Sequence, residues 1–65
     1  MNLLPGMRVV VRYRLPDGRA TDALGMLLTA DETHLAVDGK RGVETIAIAD
    51  VIAAKPVPPP PQSRP

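Results

Sequence analysis

The chain has 65 residues, no cysteine, one aromatic side chain and a formal net charge of +1. That length allows one domain at most. The lack of cysteine removes disulfides and thiolate metal sites, and so small a charge argues against a general polyanion binder. No apolar run approaches the ~18 residues of a membrane span. The opening MNLLPGM has neither the basic nor the long apolar region of a secretion signal. These features lead us to expect a cytoplasmic protein with no membrane contact.

Residues 1–6 read as a lead-in, with Pro5-Gly6 as a turn signal. From Met7 to Leu15 the chain alternates. Met7, Val9, Val11, Tyr13 and Leu15 share one parity, and Arg8, Val10, Arg12 and Arg14 share the other. Period two in a β-branched run predicts a half-buried strand with the first set inward. Pro16-Asp17-Gly18 predicts a turn, because proline presets φ and glycine accepts positive φ. Thr21–Thr29 is the second predicted strand, with Leu24, Met26 and Leu28 on one face. Gly25 interrupts it and predicts a bulge or bend where another backbone passes closely. A helix over residues 20–30 is the rival reading, since Ala, Leu and Met favour helix.

Ala30-Asp31-Glu32-Thr33 is a polar turn, and His34–Asp38 a short strand with Leu35 and Val37 inward. Asp38-Gly39-Lys40-Arg41-Gly42 carries two glycines and predicts a hairpin. Val43–Ile48 is the fourth strand, with Ile46 and Ile48 opposing Val43, Thr45 and Ala47. Ala49–Val51 fits one 3₁₀ turn, and Ile52–Lys55 a closing strand. The last ten residues, PVPPPPQSRP, hold six of the eight prolines. They predict a disordered, polyproline-rich linker over 56–65 rather than sheet. The expectation is an all-β domain over 7–55: a small five-stranded SH3-like barrel with a marginal core.

The sequence offers no catalytic, cofactor-binding or metal-ligating residue. Its one histidine, His34, has no evident partner and reads as an exposed or capping residue. No Asp/His set has ligand spacing, and the glycines match no phosphate-binding fingerprint. A polyproline receptor would need an aromatic groove, and the only aromatic, Tyr13, lies on the inward parity. The candidate interaction surface is Arg8, Arg12 and Arg14. These arginines outnumber the acids of the first segment, whereas residues 20–50 carry six acids against Lys40 and Arg41. They could hold RNA or DNA phosphates, but the aromatics that stack bases are missing, so nucleic acid is the weaker reading. A homo-oligomer pairing strand edges is a third reading.

Four stretches carry a family resemblance: Arg8-Val9-Val10-Val11-Arg12-Tyr13-Arg14, the Leu15-Pro16-Asp17-Gly18 turn, the Asp22-Ala23-Leu24-Gly25 step, and Ala49 to Pro58. From Gly6 to about Pro61 the chain resembles the SH3-like domain at the N-terminus of actinobacterial GNAT-type N-acetyltransferases. The resemblance implies a non-catalytic accessory domain that precedes an acetyl-CoA-using catalytic domain, with the prolines as linker. Its partner would be that catalytic domain in cis or a protein substrate. Acetyl-CoA is implied for the parent enzyme alone, and no catalytic residue carries over to this chain.

Overall fold

A computed structural model describes residues 3–58. It contains β1 (Arg8–Arg14), β2 (Ala20–Ala30), β3 (His34–Gly39) and β4 (Gly42–Ala47), then a 3₁₀ turn (Ile48–Asp50) and β5 (Val51–Pro56). All strand pairs are antiparallel, in one sheet of order β4-β3-β2-β1-β5. The all-β expectation and the element order hold, and residues 20–30 form a strand, not a helix. Residues 59–65, with most of the expected linker, lie outside the described residues.

The alternation of β1 does what its residues dictate. Val9 and Val11 are completely buried, Met7 and Tyr13 pack against them, and Arg12 and Arg14 are exposed. Leu35, Val37 and Ile46 complete the wall from β3 and β4. In a flat sheet β1 and β4 would stand about 14 Å apart, three strand spacings. Ile46 instead shares one cluster with Val9 and Val11, so the sheet rolls on itself into a small barrel-like fold. The ladder does not close: β4 and β5 remain its two edges.

The roll passes through Gly25. It pairs with Gly39 across β2 and β3, and a Cβ on Gly25 would overlap the Asp38 carbonyl oxygen. A Cβ on Gly39 would lie 2.9 Å from the Leu24 carbonyl oxygen. The close approach expected at Gly25 is therefore present, while the register shift falls later, between Leu27 and Thr29. Leu24, Met26 and Leu28 do share a face, and it is the outer one. Ala23, Gly25 and Leu27 take the inner positions.

Both ends of the sheet extend past the expected boundaries. Leu3 is buried in the core. The Gly6 N–H donates to the Leu27 carbonyl, and the Leu27 N–H to the Met7 carbonyl, each at 2.8 Å. Pro56 ends β5 opposite Val9, and the Val57 N–H donates to the Arg8 carbonyl at 2.9 Å. A proline is tolerated there because the next amide, not its own nitrogen, faces β1.

The turns obey their side chains. Gly18 has φ 91°, and its N–H donates to the Leu15 carbonyl at 2.9 Å, closing the Pro16-Asp17-Gly18 loop. Asp31 Oδ1 accepts from the N–H groups of Thr33 (2.8 Å) and His34 (2.7 Å) and from Thr33 Oγ1 (3.0 Å). His34 Nδ1 lies 2.9 Å from Thr33 Oγ1, so the histidine is exposed and belongs to this turn. The Thr33 and His34 amides hold the Asp31 carboxyl below its ordinary range.

Two stability predictions follow from these placements. Leu27→Ala should lose about 2–5 kcal/mol, and Gly25→Ala at least ~2 kcal/mol through the backbone clash, both read from urea midpoints. Leu24→Ser should stay within about 1 kcal/mol of the parent. A large loss from Leu24→Ser would contradict the facing of β2. The second concerns acid. The folded pKa of Asp31 is lowered, so its contribution is present above the unfolded value of about 3.9 and lost as pH falls through the folded value. Asp31→Asn, which keeps an acceptor oxygen but no charge, should flatten that part of the stability–pH curve.

Candidate interaction surface

The outer face of β5, β1 and β2 is built by register. Across the β1–β2 ladder Arg8 faces Met26, Val10 faces Leu24 and Arg12 faces Asp22. Across the β1–β5 ladder Val10 faces Lys55 and Arg12 faces Ala53. A register shift between Arg12 and Tyr13 then makes Ile52 an extra residue beside Ala53, and both are exposed. Four large apolar side chains of β2 and β5 stand in solvent: Leu24 is 47% exposed, Met26 51%, Leu28 38% and Ile52 48%. Half-buried Val10 lies among them.

The structure brings Arg8, Arg12 and Arg14 onto this one face. Arg8 is half-buried and the other two are exposed. Arg12 donates to Asp22 Oδ1 at 3.2 Å, an exposed cross-strand pair of the kind worth about 0.2–1 kcal/mol. The other ion pair among the described residues, Arg19 to Asp17 at 2.7 Å, belongs to the β1–β2 turn. Arg8, Arg14 and Lys55 therefore have no acidic partner among the described residues. The positions that sequence reading did not include are Val10, Leu24, Met26, Ile52 and Lys55. The shared parity of Leu24 and Met26 was visible, but which way that parity points depends on the register with β1.

Two hollows border this face. One, of about 390 Å³, is lined by Val10, Arg12, Asp22, Ala53, Ala54 and Lys55. The other, of about 550 Å³, runs over the glycine crossing, where Arg8, Lys40 and Arg41 meet Asp22, Asp38 and Glu44. Its charges cancel, so it gives no preference for an anion. Tyr13 points to the inner side at the rim near Glu44. Burial and then the Glu44 carboxylate raise its pKa, with Arg41 opposing. The phenol thus stays neutral near neutral pH and lies away from the arginine face. Among the described residues no group of His, Asp and Glu is arranged to hold a metal ion. No helix among them is long and apolar enough to cross a membrane.

Comparisons with curated proteins and with solved structures gave no match. A family model, the Rv0428c N-terminal Sm-like domain, matches residues 3–55. That span begins at the buried Leu3 and ends in β5, taking in every strand and the whole outer face just described. The chain belongs to the Rv0428c N-terminal Sm-like domain family.

Proposed function

We propose that this domain is a non-catalytic interaction module that docks on another protein, and that its setting is the N-terminus of a GNAT-type N-acetyltransferase. One observation carries the docking half: Leu24 and Met26 stand side by side with Val10 on the outside of a sheet whose core is already filled. A contiguous apolar patch rimmed by charge is the mark of a surface that meets a partner. The acetyltransferase half rests on the resemblance of residues 6–61 alone; the family description gives an N-terminal position and no activity. Any acetyl-CoA would bind the catalytic partner. RNA or DNA is the weaker partner, because the arginine face carries no aromatic side chain to stack a base.

A second reading has its own observation. The ladder leaves β4 and β5 as open edges, and Val43 on β4 is 60% exposed, so self-association through strand edges is also chemically available.

The isolated chain should show no acetyl-CoA turnover above background. In a polypeptide where it precedes an acetyltransferase domain, deleting it should lower that domain's activity or thermal midpoint several-fold or by several degrees, with partial rescue in trans. Turnover by the chain alone, or an indifferent catalytic domain, would overturn the proposal. A mass above the monomer by light scattering would favour edge pairing.

A further inference from the structure

Building on the accessory reading, we infer that the outer face of β5, β1 and β2 takes an extended, acidic and amphipathic protein segment. Formal charge is partitioned unevenly over the chain. On this face Arg8, Arg12, Arg14 and Lys55 oppose Asp22 alone, four against one, for a net +3. The chain as a whole is +1, so the remainder is −2. Only Arg12 of the four is in an ion pair among the described residues, while Arg8 also borders the charge-balanced hollow with Asp38 and Glu44, so the uncompensated excess lies with Arg14 and Lys55. Charge of one sign held on one face selects a partner of the other sign and speeds its encounter.

Charge alone would suit a phosphodiester as well as a carboxylate. The apolar half of the face decides between them. The outward row of β1 reads Arg8, Val10, Arg12, Arg14. Val10 is flanked by Leu24 on one side and Lys55 on the other. A nucleic acid would satisfy the arginines and leave Leu24, Met26 and Ile52 wet, with no aromatic to receive a base. A protein strand satisfies both. Successive side chains on one side of an extended chain recur about every 6.6 Å, the same interval that separates Arg8 from Val10 and Val10 from Arg12. The complement therefore has an acid, an apolar residue, an acid and an acid at every second position. Its apolar residue would sit over Val10 and Leu24, above the 390 Å³ hollow, and its acids would meet Arg8, Arg12 and Arg14, with Lys55 beside them.

The experiment is an NMR titration of the labelled chain with the peptide Glu-Ser-Leu-Ser-Glu-Ser-Glu. Three probes serve as controls: its lysine counterpart, the version with Leu replaced by Ser, and an oligouridylate. Expected are saturable shifts at Val10, Leu24, Ala53 and Lys55 with the acidic peptide. The serine version should bind several-fold more weakly, and the lysine peptide and the oligonucleotide weakest of all. Arg14→Glu combined with Lys55→Glu should weaken the acidic peptide about tenfold. On the unaltered chain, raising salt from about 50 to about 500 mM should weaken it several-fold. Absent or scattered shifts, equal binding of the lysine or serine peptide, or tighter binding of the oligouridylate would each overturn the assignment. If the chain rescues a catalytic domain in trans while the acidic peptide leaves this face unmoved, the surface assignment falls and the accessory reading stands.

Discussion

Where β2 pairs with β3 at Gly25 and Gly39, the two backbones approach so closely that an added Cβ on Gly25 would run into the Asp38 carbonyl. Close packing of main chain on main chain lets a five-stranded sheet fold over a core this small. The core is eight aliphatic residues without one aromatic among them, so there is little volume to hold two layers apart. A flat sheet would leave Ile46 and Leu35 far from Val9 and Val11, and each half would be too thin to bury anything. Rolled at the glycines, the same residues make one cluster. The Leu3 side chain, brought in by the pairing of Gly6 and Met7 with Leu27, closes it.

The same constraint explains why β2 carries its larger side chains outside. The inner positions near the Gly25–Gly39 pair are Ala23 and Gly25, which carry little or no side chain, and Leu27 further along is the large buried residue of β2. Leu24 and Met26 are left on the convex side beside β1. Fold and surface are thus coupled: the bend that makes a core possible also presents an apolar strip next to the arginines of β1. Neither belongs to the buried cluster, so polar side chains at those two positions would cost the fold little.

Much of the fold was legible because its signals are local. Alternation along Met7–Leu15 predicted the inward set, and Val9 and Val11 are fully buried. Gly18 and Gly42 stand at turns with positive φ, as turn chemistry requires. Other features were not legible because they depend on pairs distant in sequence. A strand's parity names two faces but not which is inside, and the inner face of β2 is set by its register with β1 and β3. The shift at Leu28 and the extra residue at Ile52 leave no mark in composition. The burial of Leu3 and the extension of β5 to Pro56 follow from partners on β2 and β1. A turn and a proline run had suggested ends at both places.

The arginines illustrate how far a single strand's pattern can be taken. Period two places Arg8, Arg12 and Arg14 on the wet side, and the structure agrees. Whether they are merely solvated depends on what the neighbouring strands bring. Had β5 and β2 supplied acids opposite each one, the face would be neutral and short of interest. Register supplies Asp22 to Arg12, but Met26 to Arg8, Ala20 to Arg14 and a further cation, Lys55, beside Val10. Exposed cations repel one another weakly through water, so the arrangement costs the monomer little. The same charges gain value when a partner displaces that water and lowers the local dielectric. A face that is cheap to keep and strengthens on burial of its apolar strip is suited to reversible docking rather than to holding this domain together.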